Sequence, residues 1–248
     1  SNDRYVQITS GLRAGETVLA EGAQGTLLDL DHGTYPFVTS SSASIGGVFT
    51  GLGVRPQYLR RVIGVTKVFQ TRVGSGPFPT EVFGETAERL RGSGANPWDE
   101  FGTTTGRPRR CGWLDMVLLR YAIRINGITE LALTKLDILS GLPALRLGAA
   151  YETDGQSVAE LPLGPADLAP FRAEYSELPG WAEDVRRARQ FADLPPAARE
   201  YVQRIEELTG VPVTLASVGP ERAQVIARVA PVDRIGYPSP IVVAGTFA

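Results

Sequence analysis

The sequence predicts an α/β fold in which helices flank a largely parallel sheet and a β-hairpin is added. Short β-branched runs alternate along the chain with segments of helical periodicity, an arrangement typical of parallel sheets. Asp154-Gly155 lies between two strand-like runs, 145–153 and 156–162, and is a strong hairpin signal. Hydrophobic residues make up 43% of the 248 residues, a share typical of a folded globular chain.

The first half of the chain yields two strands and two helices. Residues 17–20 and 64–69 have the β-branched character of buried strands, and residues 56–63 have a helical pattern. Residues 113–126 carry apolar side chains at spacings of three and four, so we expect an amphipathic helix with Asp115 in its first turn. Gly127 follows and predicts its end.

The second half continues the alternation of strand and helix. Strands are predicted at 131–134 and 213–216, and a helix is predicted over about 196–208, between Pro195 and Gly210. Residues 164–194 are rich in proline, alanine and charge, which predicts a surface excursion. We therefore expect one domain over 1–230, and an atypical tail over 231–248 in which the pattern is lost.

Composition excludes several functional classes. The formal net charge is −2, from 25 basic and 27 acidic residues, which argues against a general nucleic-acid or membrane-surface binder. No apolar run approaches the roughly 18 residues that span a bilayer. A single cysteine and a single histidine exclude an internal disulfide and a Cys/His zinc site, and no phosphate loop of the G-x-x-x-x-G-K-[ST] type is present.

Three polar motifs follow predicted strands directly: residues 21–25, 134–137 and 217–220. Ligands of open α/β sheets bind beyond the carboxyl ends of the strands. We therefore expect a ligand site where these motifs meet.

Residues 103–110 are the most unusual segment, because three threonines, a glycine and three arginines lie within eight residues. Arginine forks bind carboxylates and phosphates, and hydroxyls and glycine amides add close donors. The alternative is a solvated basic turn. An RNA-binding surface would rest on Arg107–Arg110 alone and fits poorly with the net charge.

A Lys-x-Asp motif, Lys135-Leu136-Asp137, follows the strand at 131–134. At a strand end this arrangement suits guanine, because the carboxylate accepts from N1–H and the exocyclic amine while the lysine stem lies over the ring. Adenine would leave the carboxylate unpaired. A structural salt bridge is the alternative.

Several other residues favour structural roles. His32 lies beside Asp29 and Asp31, where a base role is conceivable but a surface or structural role is favoured. Cys111 follows two arginines that favour its thiolate, but no base lies near it in the sequence to make it catalytic. Arg60 and Arg61 are interpreted as a solvated helix face.

Taken together, long motifs in this chain strongly resemble those of adenylosuccinate synthetases. They lie at 21–41, 71–81, 101–115 (FGTTTGRPRRCGWLD), 134–137, 175–181 and 204–211. The resemblance implies a P-loop NTPase-like fold and a magnesium-requiring ligase of purine biosynthesis that uses GTP to condense IMP with L-aspartate to adenylosuccinate. It further implies a cytoplasmic homodimer that binds neither nucleic acid nor membrane.

The resemblance also assigns roles to individual residues. Gln24 is implied as the catalytic side chain that holds the IMP base near its reactive edge, and Thr39 as a contact of the IMP phosphate. The implied substrate loop consists of Thr103, Thr104, Thr105, Gly106, Arg107 and Arg109. The implied GTP-binding set consists of Arg109, Lys135, Leu136, Asp137, Ser217, Val218 and Gly219.

This chain departs from the family pattern in two ways. Val218 stands where the family usually has threonine, which removes a hydroxyl but leaves the backbone contacts. The phosphate loop, catalytic aspartate and histidine, magnesium ligands and cross-dimer arginine of the family are not found in this sequence, so no metal ligand is predicted. We therefore expect the chain alone to be inactive; the alternative is a guanine-nucleotide- and IMP-binding module without turnover.

Overall fold

The computed structural model describes residues 2–102, 105–161, 168–228 and 241–246. Within these residues the helices are α1 Asn2–Arg13, α2 Gly46–Leu52, α3 Gly84–Arg91, α4 Met116–Asn126 and α5 Pro196–Thr209. The strands are β1 Val18–Glu21, β2 Leu59–Lys67, β3 Phe69–Arg72, β4 Arg110–Asp115, β5 Glu130–Thr134, β6 Leu142–Thr153, β7 Gln156–Val158, β8 Arg172–Trp181, β9 Val213–Ser217, β10 Val225–Ala227 and β11 Ile241–Thr246.

A six-stranded sheet in the order β1-β11-β2-β5-β9-β10 forms the centre of the fold. Every neighbouring pair in it is parallel except β9 with β10. The register places Lys67 of β2 opposite Thr134 of β5, and Ala216 of β9 opposite Leu133 of β5. The predicted α/β class with a largely parallel sheet is confirmed.

The predicted hairpin is part of a second sheet in which β3, β4, β6 and β7 follow one another and β8 pairs with β6. Asp154 and Gly155 both have positive φ, at 51° and 75°, as a tight hairpin turn between β6 and β7 requires. The surface excursion predicted for 164–194 is wrong in its middle, because β8 lies there and the Trp181 side chain is buried in the core. The apolar residues of β8 follow neither the two-residue period of a strand nor the 3.6-residue period of a helix clearly, so the sequence does not reveal this strand.

The helix predicted over 56–63 is also wrong. Only Pro56–Tyr58 form a 3-10 turn, and β2 starts at Leu59. Buried residues alternate from Val62 to Thr66, so the two-residue period of a strand decides this segment once it lies between β11 and β5. Arg61 is therefore not on a solvated helix face: its guanidinium makes a two-point contact with Glu130, at 2.6 and 2.8 Å.

The helix predicted at 113–126 starts later than expected, because Trp113 and Leu114 still belong to β4. Asp115 caps α4 by accepting hydrogen bonds from the amides of Val117 and Leu118, each at 3.0 Å. The predicted ends are confirmed: Gly127 and Gly210 adopt the left-handed conformation directly after α4 and α5.

Part of the predicted tail contributes to the central sheet, because β11 pairs in parallel with β1 on one side and β2 on the other. The division of the chain at residue 230 remains a prediction. Among the described residues, no helix combines the length and the apolar character needed to cross a membrane.

Candidate functional site

Functional side chains gather along the carboxyl edge of the six-stranded sheet. The loop of Gln24 follows β1, Lys67 ends β2, Lys135 follows β5, and Ser217 ends β9. The parallel register brings these strand ends to the same edge. The sequence motifs at 21–25, 134–137 and 217–220 thus lie on one face of the molecule, where ligands of such sheets bind.

One cavity of about 200 Å³ lies where β5 and β9 end, and we call it the Asp137 cavity. It is lined by Trp98, Thr134, Lys135, Asp137, Ile138, Ser217, Gly219 and Pro220. The structure therefore brings four members of the predicted guanine set to one place: Lys135, Asp137, Ser217 and Gly219.

The local backbone explains how Asp137 reaches this cavity. Lys135 has a φ of 68°, in the left-handed region that a lysine rarely adopts, and it turns the chain sharply into the 3-10 turn Leu136–Leu139. Burial raises the pKa of Asp137, although Arg186 and Lys135 act in the opposite direction.

Two other members of the predicted guanine set, Leu136 and Val218, have fully buried side chains in the hydrophobic core. Their side chains are therefore unavailable to a ligand, and only their backbone groups can contact one. Arg109, predicted on both the substrate and the GTP side, is absent from the lining of the Asp137 cavity and lines a second one.

The second cavity, which we call the Gln24 cavity, has a volume of about 460 Å³. Its polar lining comes from Gln24, Lys67, Gln70, Thr71, Arg72 and Arg109, and its apolar lining includes Leu27, Leu28, Val73, Phe78 and Leu118. Gln24 has a φ of 61°, and its Oε1 accepts a hydrogen bond from Ser41 at 3.3 Å. Ser41 also lies 3.5 Å from the hydroxyl of Thr39, so the predicted residues Gln24 and Thr39 are neighbours.

The loop that carries Gln24 is organised by Asp29, whose carboxylate is buried. It accepts hydrogen bonds from the amides of Asp31 and His32 at 2.9 and 3.0 Å and of Ser44 at 2.8 Å. Burial alone would raise the pKa of Asp29, but these amides outweigh it, so the pKa lies below its usual value. Asp29 thus has a structural role, and His32 is exposed with its carbonyl bound to Tyr121.

Between the two cavities lies a buried carboxylate with three cationic partners, which we call the Glu100 cluster. Glu100 is 1% exposed, and it accepts from Lys67 Nζ at 2.7 Å, from Arg109 Nη1 at 2.8 Å and from Lys135 Nζ. Lys67 and Arg109 line the Gln24 cavity, whereas Lys135 lines the Asp137 cavity. One negative charge is shared by three positive ones, so the cluster has a surplus of positive charge facing both cavities.

The pKa of Lys67 in this cluster is lowered to about 8. Burial is the main cause, and the positive charges of Lys135 and Arg109 add to it, so that the attraction of Glu100 is outweighed. Arg109 shows a related feature: its Nε–H is buried and has no hydrogen-bond partner among the described residues. A buried donor of this kind is costly unless an acceptor pairs with it.

The predicted substrate loop is only partly described, since Thr103 and Thr104 lie outside the described residues. Thr105 Oγ1 accepts from the amide of Arg107 at 3.3 Å, and the amide of Gly106 donates to the carbonyl of Gly102 at 2.8 Å. Arg107 is exposed.

Arg110 and Cys111 serve the fold. Arg110 pairs with Glu81 through two nitrogens and donates to the carbonyl of Gly76 at 2.8 Å, so it holds the 74–81 loop. The interpretation that arginines favour the Cys111 thiolate is wrong, because burial raises its pKa to about 11.

Sequence reasoning missed Lys67, Trp98 and Glu100. The only signals were a lysine ending an apolar strand and a tryptophan and a glutamate shortly before the threonine-rich loop. Among the described residues, no group of three or more histidine, cysteine, aspartate or glutamate side chains forms a metal site.

Comparison with known proteins agrees with this architecture. The family model for adenylosuccinate synthetase matches residues 2–226. The adenylosuccinate synthetase of Mycobacterium marinum is 53% identical over 226 residues, which is 91% of this chain and 51% of that protein. That of Pelobacter propionicus is 52% identical over 224 residues, or 90% of this chain and 51% of that protein.

A solved structure shows the same fold. The fully ligated adenylosuccinate synthetase from Plasmodium falciparum superposes with a TM-score of 0.85 at 39% identity, covering 92% of this chain and 54% of that one. This chain thus spans about half the length of the relatives it matches. On the extent of the family match and the identity to these relatives, the chain belongs to the adenylosuccinate synthetase family.

Proposed function

We propose that this chain supplies the nucleotide- and substrate-recognition part of a GTP-dependent ligase that condenses IMP with L-aspartate to adenylosuccinate, on the route to AMP. The observation that carries the proposal is the convergence of Lys135, Asp137, Ser217 and Gly219, from two strand ends, on one cavity. Family membership supports ligase activity, purine biosynthesis and GTP binding.

The Asp137 cavity suits guanine. An ionised Asp137 carboxylate accepts from the N1–H and the exocyclic amine of the base, and a ring without these donors leaves the carboxylate desolvated and unpaired. The lysine stem of Lys135 lies at the same cavity as Trp98, whose indole ring offers a stacking surface. The pocket is small, which suits the base while the phosphates extend toward the positive Glu100 cluster.

The Gln24 cavity suits IMP. Gln24 supplies an amide for the hypoxanthine edge, Leu28 and Val73 supply apolar contacts, and Lys67 and Arg109 supply positive charge. The Nε–H of Arg109, which has no partner in the described part of the chain, is a donor for an anionic oxygen of a ligand. Arg107 and the threonines of the 103–105 segment are proposed to bind the carboxylates of L-aspartate.

The proposed chemistry activates the 6-oxygen of IMP by phosphorylation from GTP, after which the aspartate amine attacks C6 and phosphate leaves. A phosphorylated oxygen is a far better leaving group than the carbonyl oxygen itself. In this scheme Gln24 orients the base, and the Glu100 cluster supplies positive charge where negative charge accumulates.

Three further properties are proposed from family membership. Magnesium is expected to accompany GTP, and no residue of this chain is assigned to that ion. A homodimer is expected. A cytoplasmic location is also expected, and it is compatible with a single cysteine, which cannot form an internal disulfide.

Calorimetry tests the recognition half of the proposal. We expect GTP to bind at least tenfold more tightly than ATP, and IMP to bind at a separate site with a stoichiometry of one. Equal affinity for GTP and ATP would overturn the assignment of the Asp137 cavity.

An activity assay with GTP, IMP, L-aspartate and magnesium tests turnover. We expect the 248-residue chain alone to bind its ligands without forming adenylosuccinate, as a recognition module would. Adenylosuccinate formation by the chain alone would contradict that expectation and assign the complete activity to these residues.

A further inference from the structure

We propose that Glu100 is a positioning residue that couples the two cavities, so that a ligand in one changes the affinity of the other. This inference rests on the proposed function, since it takes a guanine nucleotide and IMP as the ligands. The carboxylate itself lines neither cavity, and it contacts Lys67 and Arg109 at the Gln24 cavity and Lys135 at the Asp137 cavity.

Glu100 is held rigidly in the fold. The Glu100 amide donates to the carbonyl of Arg91 at 2.7 Å, and its carbonyl accepts from the amide of Arg109 at 2.9 Å. The backbone of Glu100 is therefore fixed on both sides, and its side chain is buried. A carboxylate held in this way sets the positions of the cations around it.

The two carboxylate oxygens of Glu100 contact different cations. Oε2 accepts from Lys67 and Arg109, two of the three cations that line the Gln24 cavity, whereas Oε1 accepts from Lys135, which lines the Asp137 cavity. Two of the cations also have other contacts: Lys67 donates to Thr71 at 2.7 Å, and Lys135 donates to the carbonyl of Trp98 at 2.6 Å.

Anionic ligands and Glu100 compete for the same cations. An anionic ligand in the Gln24 cavity draws Lys67 and Arg109 toward itself and weakens their hold on Oε2. The charge of Glu100 is then shared by fewer cations, and its attraction on Lys135 changes. A ligand in the Asp137 cavity acts in the same way on Lys67 and Arg109, as the reciprocity of linked equilibria requires.

The experiment measures the dissociation constants of GDP, which has no γ-phosphate to transfer, and of IMP, each with and without the other at saturation. We expect the wild-type chain to show a coupling factor of at least about fivefold, the lower end of common allosteric couplings. Glu100→Gln should reduce the factor to less than about twofold, and Glu100→Asp, which keeps the charge, should retain a factor intermediate between the two.

Glu130→Gln is the matched control. Glu130 is also buried and ion-paired, but it lies at the opposite end of β5 and contacts Arg61 and Thr214 instead of either cavity. A general loss of stability would appear in both glutamine variants, whereas loss of coupling should appear only in Glu100→Gln. If Glu100→Gln does not fold, Lys67→Met removes one arm of the cluster and should likewise abolish the coupling.

The outcomes separate the two proposals. Coupling below twofold in the wild type, or unchanged coupling in the folded Glu100 or Lys67 variants, overturns the role of Glu100 while leaving the proposed function standing if both ligands bind. Failure of GDP and IMP to bind the wild-type chain overturns both.

Discussion

Asp137→Asn tests the guanine assignment most directly, because asparagine keeps the size of the side chain and removes its charge. The carboxylate is proposed to accept one hydrogen bond from N1–H and one from the exocyclic amine of guanine. Inosine triphosphate, ITP, lacks that amine, so a comparison of GTP with ITP isolates a single hydrogen bond.

The expected magnitude follows from the burial of Asp137. A hydrogen bond to a charged group contributes about 1.5–3 kcal/mol. Asp137 is only partly buried, so solvent screens it and the lower part of this range applies. The wild type should therefore prefer GTP over ITP by roughly 10- to 30-fold, since about 1.4 kcal/mol corresponds to a factor of ten.

In Asp137→Asn the preference should fall below about threefold, because the asparagine amide presents a donor toward the guanine amine. Calorimetric titrations of GTP and ITP, with the Gln24 cavity saturated by IMP, measure both ratios. Asp184→Asn is the control, since Asp184 is exposed, pairs with Arg186 and does not line the cavity. Equal binding of GTP and ITP to the wild type would refute the reasoning.

Four further predictions follow from particular residues. Trp98 is 47% exposed whereas Trp113 and Trp181 are buried, so GTP should quench the fluorescence of the wild type. Trp98→Ala should weaken GTP binding by about 1–3 kcal/mol, because the stacking surface is lost, while Trp98→Phe should largely retain the binding. Because the pKa of Lys67 is lowered to about 8, about half of the Lys67 amines are neutral at pH 8, and each chain should take up about half a proton when IMP binds. Calorimetry in buffers of different ionisation enthalpy measures this uptake. Lys67→Arg stays charged and should show no uptake. Burial raises the pKa of Asp115 to about 6, so between about pH 4 and pH 6 the folded chain holds a proton there that the unfolded chain has released. The free energy of unfolding should therefore fall as the pH rises from about 4 to 6. Denaturant titrations should show this fall to be at most about 3 kcal/mol relative to Asp115→Asn. Deletion of residues 229–248 removes β11, the shared partner of β1 and β2, and should lower the melting temperature by several degrees in a calorimetric scan; an unchanged value would show that β11 contributes little to the sheet.

The strand-end motifs were predictable because the rule behind them is topological. Once β5 and β9 are parallel neighbours, Lys135 and Ser217 must lie at the same edge, whatever their surroundings. Residues 56–63 were not predictable in this way, because Leu59, Val62 and Ile63 satisfy the helical spacing, whereas the buried face of the strand is formed by Val62, Gly64 and Thr66, of which only Val62 is strongly apolar. Pairing with the neighbouring strands β11 and β5 decides between helix and strand, and the local sequence does not show that these strands lie nearby.

The Glu100 cluster was hidden for a related reason. Glu100 reaches Lys67 across 33 residues and Lys135 across 35, so no local motif contains the contact. Sequence spacing shows which segments carry polar side chains, but a buried ion-pair cluster exists only after Glu100 and Arg109 have packed against the ends of β2 and β5.

The charge balance of two buried carboxylates separates a structural role from a ligand-directed one. In the described part of the chain, Glu130 pairs with one cation, Arg61, and it lines neither cavity. Glu100 faces three cations, and burial together with repulsion from Lys135 and Arg109 lowers the pKa of Lys67 despite the attraction of Glu100. The positive charge that Glu100 does not balance lies at the two adjoining cavities. The excess becomes favourable when anionic ligands enter the adjoining cavities, which is why this cluster, and not the better balanced pair, is expected to report on nucleotide binding.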